Sequence, residues 1–332
     1  MRVAVLDDYH QVAHELADWR SLGVEVDFFD KPIAREQLPA VLAGYDTLVL
    51  MRERTAFPRE VLERLPNLKT VVTTGMRNAA VDIEYLAGHG VRVYGTGIPG
   101  YGSADKLGPG GPVQPPPPGL PSTIEVAWAL ILALFKRVVW EDRALRRETW
   151  QAGLPTNLAG ATLGLVGLGR LGVQMIAPAR AFGMEVIAWS QNLTAERAAQ
   201  AGVRHVSKAE LMAGADVISI HLVLSDRTRG LIGAEEFARM KPTGFLVNTS
   251  RGPIVDERAL VEALRANRIA GAGLDVYDRE PLPDDHPLLA LENTVLTPHL
   301  GYVSREGLAD MYGQVVEDLA AHLRGEPIRV IA

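Results

Sequence analysis

The sequence predicts an α/β protein built from two doubly wound parallel sheets. Short aliphatic and β-branched runs alternate with amphipathic segments along most of the chain, a rhythm typical of parallel sheets covered by helices on both faces. The 332 residues are enough for two domains, each with its own hydrophobic core. Hydrophobic residues make up 47% and charged residues 22% of the chain, which is an ordinary globular composition.

Net charge and cysteine content exclude several classes of function. The formal net charge is -6, so nucleic acid is not an expected partner, because phosphate binding needs a basic face. The chain has no cysteine, which excludes disulfides, thiolate metal sites and cysteine nucleophiles. The N-terminus lacks a signal-like apolar core, and the longest apolar stretch elsewhere, Val126 to Phe135, is too short for a bilayer. We expect a cytoplasmic protein that binds neither membrane nor metal.

The first domain is predicted from five strand patterns. They are Val3–Leu6, Val24–Phe29, Thr47–Met51, Thr70–Thr73 and Val91–Tyr94. Amphipathic patterns at Gln11–Asp18 and Arg35–Ala43 lie between them and predict helices. A last helix, predicted over Ser304–Leu323, is expected to return to this domain. The first domain is therefore discontinuous and takes residues 1–121 and 302–332.

The second domain, residues 122–301, repeats the pattern more clearly. Its predicted strands are Leu163–Val166, Glu185–Trp189, Val217–His221, Phe245–Asn248, Gly271–Asp275 and Val295–Thr297. Six strands separated by helical segments match the strand count of a Rossmann dinucleotide-binding domain. A long helix is predicted from Ser122 to about Arg147, opened by a capping-box pattern, and Ser207–Glu210 is a second capping-box pattern.

Residues 95–121 separate the two patterns. They include eight glycines and eight prolines, with four consecutive prolines at 115–118. Such a composition forms neither a helix nor an inner strand and favours extended polyproline II. A surface loop that joins the domains is the simpler interpretation, and a lid or a partner-binding stretch is the alternative.

A glycine-rich turn follows the first strand of the second domain. Gly167 is expected to make the tight turn, Gly169 to let the backbone approach a pyrophosphate, and Gly172 to allow close helix packing. The helix that follows, predicted to about Phe182, offers free N–H groups to the phosphates. A GxGxxG motif between a strand and a helix predicts a dinucleotide site.

The next strand ends without the expected acid. Ser190, Gln191 and Asn192 stand where a carboxylate would hold the adenosine ribose of NAD, and the first carboxylate is Glu196. The missing charge removes a repulsion against a 2′-phosphate. NAD and NADP both remain open, with NADP slightly favoured.

Three later motifs each follow a predicted strand. They are Val247–Gly252, which contains Arg251; Gly273–Pro281, which contains Glu280; and Thr297–Gly301, which contains His299. In a doubly wound sheet, ligands bind outside the carboxyl ends of the strands. We therefore expect the three side chains to converge where the nicotinamide lies.

In these motifs, their order and their spacing, the chain resembles the D-isomer-specific 2-hydroxyacid dehydrogenase family over nearly its whole length. The resemblance implies a flavodoxin-like substrate domain and a Rossmann NAD(P) domain. It also implies that Arg251 binds the substrate carboxylate and polarises the 2-oxo group, and that His299 donates the proton in reduction with Glu280 as its partner. These residue types suit the roles, because a carboxylate favours the protonated imidazole and arginine matches a carboxylate.

The resemblance also implies the surrounding contacts. The expected cofactor contacts are Gly167, Gly169, Arg170, Leu171, Gly172, Ser190, Gln191, Asn192, His221, Thr228, Thr249, Ser250, Asp275 and Gly301. A buried core histidine explains His221 almost equally well. Gly75, Met76 and Arg77 are expected to bind the substrate carboxylate. Arg52 joins them, although a solvated charge run explains it equally well.

The predicted function is hydride transfer between a nicotinamide cofactor and a 2-oxo acid/D-2-hydroxy acid pair, with a small acid such as glyoxylate or hydroxypyruvate as substrate. Two alternatives remain: a nicotinamide-sensing binding protein on the same fold, and a relative that oxidises another donor such as phosphite. A homodimer is expected, because family members dimerise through the region of the helix from Ser122, which carries Trp128 and Trp140. The sequence does not fix which 2-hydroxy acid is used.

Overall fold

A computed structural model describes residues 1–97 and 121–332 of the chain. These residues form two compact units, the first from residues 1–97 and 304–332 and the second from residues 121–303. Nearly all of the proline- and glycine-rich segment lies outside the described residues, so its proposed roles as a loop, a lid or a partner-binding stretch stay predictions.

The first unit contains an open sheet of five strands. They are β1 (Arg2–Val5), β2 (Glu25–Phe28), β3 (Thr47–Leu50), β4 (Thr70–Thr73) and β5 (Arg92–Gly95). All pair in parallel in the order β2-β1-β3-β4-β5, which is the flavodoxin-like order. Every residue of β3 and β4 is buried, as parallel strands covered on both faces require.

Short helices connect these strands. They are α1 (Ala13–Leu16), α2 (Leu38–Leu42), α3 (Arg59–Leu62) and α4 (Ile83–Gly88). The Asp82 carboxylate accepts from the Tyr85 N–H at 2.9 Å and so caps the start of α4. The helices predicted at Gln11–Asp18 and Arg35–Ala43 are present but shorter than the patterns suggested.

The second unit contains a sheet of seven strands. They are β6 (Thr162–Val166), β7 (Glu185–Trp189), β8 (Arg204–His205), β9 (Val217–Ile220), β10 (Phe245–Asn248), β11 (Gly271–Leu274) and β12 (Thr294–Leu296). All pair in parallel in the order β12-β11-β10-β9-β6-β7-β8. The predicted α/β class is confirmed. Strand β8 was not predicted from the sequence, because its two exposed polar residues give no hydrophobic run.

Among the described residues, seven helices accompany this sheet. They are α5 (Ser122–Lys136), α6 (Val138–Leu145), α7 (Ile176–Ala181), α8 (Ala195–Gln200), α9 (Lys208–Gly214), α10 (Ala234–Arg239) and α11 (Glu257–Arg265). The single helix predicted from Ser122 to Arg147 is wrong, because Arg137 adopts the left-handed conformation (φ 55°) and ends α5. The capping box at Ser122 is also wrong, since Pro121 occupies the cap position. The box at Ser207–Glu210 is confirmed by both reciprocal hydrogen bonds.

The C-terminal helix α12 (Arg305–Leu323) packs on α1 and β4 of the first unit. The Ser304 hydroxyl accepts from the Gly307 N–H at 3.0 Å and caps its start. The chain then returns along β5, where the Ile331 N–H donates to the Val93 carbonyl at 2.7 Å. The C-terminal residues thereby cover the β5 edge of the first sheet. Among the described residues, no helix is long and apolar enough to cross a membrane.

Candidate active site

The residues predicted to carry the chemistry follow three neighbouring strands of the second sheet. Arg251 comes after β10, Glu280 after β11 and His299 after β12, and these strands are adjacent. Because the strands run parallel, all three residues lie on the same side of the sheet, just beyond the C-terminal ends of the strands.

His299 and Glu280 are in direct contact. The Nδ1 atom of His299 lies 2.5 Å from Oε2 of Glu280, and both side chains are about a quarter exposed (22% and 29%). The other oxygen of Glu280 accepts from the Tyr277 N–H at 2.9 Å. Tyr302, which the sequence reading did not single out, places its ring edge-on to the imidazole, with centroids 5.4 Å apart. Since Nδ1 is bound to the carboxylate, Nε2 is the nitrogen that can exchange a proton with a ligand.

The backbone that carries His299 is held by a buried carboxylate. The backbone of His299 has φ 55°, a left-handed conformation that costs energy in a residue other than glycine. Asp275, which is fully buried, accepts from the Thr297 hydroxyl at 2.6 Å and from the N–H groups of Leu300 and Gly301 at 2.7 and 2.8 Å. Burial raises the pKa of Asp275, and these hydrogen bonds act in the opposite direction. The three bonds fix the turn in which His299 lies.

Arg251 lies on a loop that is fixed from within. The amide of the buried Asn248 donates to the Arg251 carbonyl and accepts from the Ser250 N–H, both at 3.0 Å. The next residue, Gly252, lies so close to the following segment that a Cβ there would stand 2.1 Å from the carbonyl carbon of Tyr277. Glycine at this position therefore lets the Arg251 loop pack directly on the start of the segment that carries Glu280.

The glycine-rich turn has the shape of a phosphate-binding cradle. Gly167 has φ 105°, and a Cβ there would lie 2.4 Å from the carbonyl oxygen of His221. A Cβ on Gly172 would lie 2.1 Å from the Gly167 carbonyl oxygen, whereas a Cβ on Gly169 would meet nothing within 4 Å. The open space at Gly169 fits the approach of a pyrophosphate. The helix expected directly after the turn begins instead as a 3-10 turn, Gly172–Met175, before α7.

Two buried polar atoms near the carboxyl ends of β9 and β10 are without a hydrogen-bond partner within the described part of the chain. They are Nδ1 of His221 and the hydroxyl of Thr249. The other ring nitrogen of His221 lies 2.9 Å from the Ser219 hydroxyl, and burial lowers the pKa of this histidine to about 4. Buried polar atoms usually have partners, so these two fit the polar groups of a bound dinucleotide.

The remaining predicted cofactor residues differ in what they offer. Ser190 is half-buried at the end of β7, and Gln191 and Asn192 are exposed, so no carboxylate stands at this strand tip. The Thr228 hydroxyl donates to the Val223 carbonyl at 2.8 Å, and the Ser250 hydroxyl donates to the Ile220 carbonyl at 2.7 Å. Arg170 is exposed and Leu171 packs against the core.

In the first unit, Arg52 and Gly75 come together beyond β3 and β4. A Cβ on Gly75 would lie 3.3 Å from Nη1 of Arg52, so the guanidinium rests on the glycine backbone. The Arg52 carbonyl accepts from the Asn78 amide at 2.6 Å, and Arg52 is half-buried. Met76 is half-buried and Arg77 is exposed.

A family model matches the second unit of this chain, and two relatives match nearly its whole length. A family model described as D-isomer specific 2-hydroxyacid dehydrogenase, NAD binding domain, matches residues 128–301. Glyoxylate reductase from Aeropyrum pernix is 37% identical over 328 residues, which cover 95% of this chain and 92% of that protein. The crystal structure of phosphoglycerate oxidoreductase from Vibrio cholerae has a TM-score of 0.87 and 31% identity, and the match covers 98% of this chain and 99% of that one.

A longer relative matches only in part. D-3-phosphoglycerate dehydrogenase from Archaeoglobus fulgidus is 34% identical over 321 residues, which cover 96% of this chain. The match covers 57% of that protein, so this chain spans little more than half the length of the Archaeoglobus dehydrogenase.

Two alanine substitutions separate the roles of the glycines in the turn. Gly172→Ala should destabilise the fold by about 1–3 kcal/mol, because the new Cβ would overlap the Gly167 carbonyl. Gly169→Ala should leave the melting temperature unchanged and weaken dinucleotide binding roughly tenfold, because the methyl group fills the space left for the pyrophosphate. Thermal unfolding and fluorescence titration with NADH and NADPH measure the two effects. Unchanged affinity in Gly169→Ala would contradict the cradle.

Proposed function

This chain belongs to the D-isomer specific 2-hydroxyacid dehydrogenase family, and we propose that it interconverts a 2-oxo acid and the corresponding D-2-hydroxy acid with a nicotinamide cofactor. Membership confirms the resemblance read from the motifs. The match to an NAD binding domain supports the nicotinamide cofactor. The observation that carries the proposed reaction is the 2.5 Å contact between His299 and Glu280 at the carboxyl edge of the second sheet.

His299 is the acid in reduction. When bound, the nicotinamide supplies the hydride for the carbonyl carbon, and the charge left on oxygen then needs a proton. Nδ1 of His299 donates to Glu280, so the proton comes from Nε2. The carboxylate of Glu280 accepts from Nδ1 and fixes the orientation of the imidazole ring. In the reverse direction the neutral imidazole takes the proton of the 2-hydroxyl group.

Arg251 binds the anionic end of the substrate. A guanidinium group matches a carboxylate with two parallel hydrogen bonds. The hydrogen bonds of Asn248 fix the backbone of this loop, and the Arg251 guanidinium donates to the Ser250 carbonyl at 2.8 Å. Arg52, Gly75, Met76 and Arg77 of the first unit are proposed as further substrate contacts, supported by the packing of Arg52 on Gly75.

A small 2-oxo acid such as glyoxylate or hydroxypyruvate is the proposed substrate. The relative from Aeropyrum pernix, which matches over 92% of its own length, is a glyoxylate reductase. A nicotinamide sensor without chemistry is not favoured, because a sensor has no need for an imidazole held by a carboxylate at 2.5 Å.

Removal of the imidazole tests the reaction. His299→Ala should lower kcat for 2-oxo acid reduction by about 100-fold or more, because general acid catalysis contributes roughly 10²–10⁴-fold. Nicotinamide affinity should change little. Absorbance loss of NADH and NADPH with glyoxylate, hydroxypyruvate and phenylpyruvate measures turnover, and fluorescence titration measures binding. Wild-type protein that binds the cofactor but reduces no 2-oxo acid would contradict the proposal.

NADP is the proposed cofactor. The tip of β7 carries Ser190 where NAD-selective domains place an acid, so a 2′-phosphate meets no negative charge there.

A single substitution can introduce a negative charge at the tip of β7. Ser190→Asp should raise the KM for NADPH roughly tenfold and lower the KM for NADH, because a carboxylate repels a 2′-phosphate and accepts from a 2′-hydroxyl. The isosteric, uncharged control Ser190→Asn should leave the preference close to wild type. A wild type that prefers NADH, or a Ser190→Asp variant with the cofactor preference of wild type, would contradict the assignment.

A homodimer is proposed from an exposed apolar surface on the second unit. Val138 and Leu145 on α6 and Trp150 and Leu154 beyond it are 54%, 59%, 78% and 91% exposed. Apolar side chains exposed to this degree within one segment are typical of an interface. Light scattering at micromolar concentration should give twice the 36.0 kDa chain mass, and Trp150→Ser should shift the protein toward monomer. A monomeric wild type would contradict the dimer.

A further inference from the structure

Glu280 lies in a segment that needs an external support. Between the end of β11 and the 3-10 turn Pro287–Ala290, the chain forms neither helix nor strand. Such a segment is ordinarily more mobile than the elements that it joins. Glu280 must nevertheless stand at hydrogen-bond distance from His299, since a shift of about 1 Å is enough to cost a large factor in rate.

One carboxylate grips this segment on both sides of Glu280. Glu257, the first residue of α11, accepts from the Asp278 N–H through Oε2 at 3.3 Å. Its other oxygen lies 2.9 Å from Nε2 of His286. The side chains of Glu257 and His286 are only 23% and 13% exposed. Residues ahead of and behind Glu280 are therefore tied to the same side chain.

The tautomer of His286 follows from its second contact. The Leu288 N–H donates to Nδ1 of His286 at 3.3 Å, so Nδ1 is unprotonated and Nε2–H donates to Glu257. His286 thus links the support to the start of the 3-10 turn, where the segment ends. Burial, together with the negative charge of Glu257, raises the pKa of the Asp278 carboxyl group.

Glu257 also stands on the segment that begins with Arg251. Gly252 of this segment packs against the backbone of Tyr277 and Asp278, where a Cβ would lie 2.1 Å from the Tyr277 carbonyl carbon. The stretch from Arg251 to Glu257 therefore contacts the Glu280 segment at two points. A displacement of one would displace the other.

We propose that Glu257 and His286 form a latch that holds Glu280 against His299. Both act as positioning residues, because neither touches His299. The mechanistic part of this inference rests on the proposed dehydrogenase function. The structural part is the restraint of residues 276–286. It rests on the contacts of Glu257 and does not depend on the proposed function.

The latch predicts a specific pattern of kinetic changes. Glu257→Gln replaces one acceptor oxygen by an NH₂ donor. This donor would then face another donor, either the Asp278 N–H or the Nε2–H of His286, and one of the two hydrogen bonds would be lost. We expect kcat to fall by about tenfold to a hundredfold while cofactor affinity stays close to wild type. The same change made in a Glu280→Gln background should lower kcat much less, since the latch acts through Glu280. Full additivity of the two losses of kcat would overturn the proposal.

Matched variants separate the latch from a general loss of stability. Glu262→Gln removes a carboxylate from the same helix, where Glu262 is 66% exposed and only 3.8 Å from Arg258, and should behave as wild type. His286→Leu should reproduce Glu257→Gln, whereas His286→Gln retains a donor toward Glu257 and should restore most of kcat. Equal losses in His286→Leu and His286→Gln would point to packing and overturn the latch.

Amide hydrogen exchange tests the restraint without turnover. Residues 276–286 should exchange faster in Glu257→Gln and His286→Leu than in wild type and Glu262→Gln, and the strands of the second sheet should not change. Unchanged exchange in residues 276–286 would overturn the latch, and this conclusion does not depend on which substrate the protein uses. Faster exchange in a protein that reduces no 2-oxo acid would support the latch and contradict the proposed function instead.

Discussion

The hydrogen bond between His299 and Glu280 joins two segments that leave the ends of adjacent strands, and the arrangement around it serves to keep that bond in place. A short contact between a carboxylate and an imidazole is strong, but it forms only if both backbones are fixed. Asp275 fixes the turn of His299 with three hydrogen bonds, and Glu257 grips the segment of Glu280 from both sides. Two carboxylates outside the proposed acid–base pair thus hold the segments that carry it.

Close backbone approaches connect this pair to the rest of the second unit. Gly252 lets the Arg251 loop rest on Tyr277, and Gly167 and Gly172 pack the phosphate turn against itself and against His221. None of these contacts leaves room for a Cβ. The C-terminal ends of the strands are therefore tightly packed around the cofactor turn, the Arg251 loop and the Glu280 segment. Such packing suits a reaction that needs reacting atoms at fixed distances.

Much of the fold could be predicted from the sequence, because buried parallel strands give uniform apolar runs. The runs at β3 and β6 are examples, and each is flanked by turn residues. β8 could not be found, since a two-residue edge strand of Arg204 and His205 has no hydrophobic signal. The break in the long helix was also hidden, because the left-handed conformation of Arg137 depends on its surroundings rather than on residue type.

The candidate site was predictable where a residue follows a strand in a recognisable motif, as Arg251, Glu280 and His299 do. Its supports were not. Glu257 reads as an ordinary acid in the first turn of a helix, and His286 as a loop histidine, and only the folded chain brings them to either side of Glu280. Tyr302 lies beside the motif that contains His299, but its contact with the imidazole needs the turn geometry that Asp275 imposes.

The turnover of Glu280→Gln tests the central claim most directly. Glutamine has nearly the size of glutamate but no charge with which to hold the imidazole through Nδ1. The kcat for 2-oxo acid reduction should fall by about 100-fold or more, while nicotinamide affinity should change little. A kcat equal to that of wild type would contradict the assignment of His299 and Glu280 as the acid–base pair.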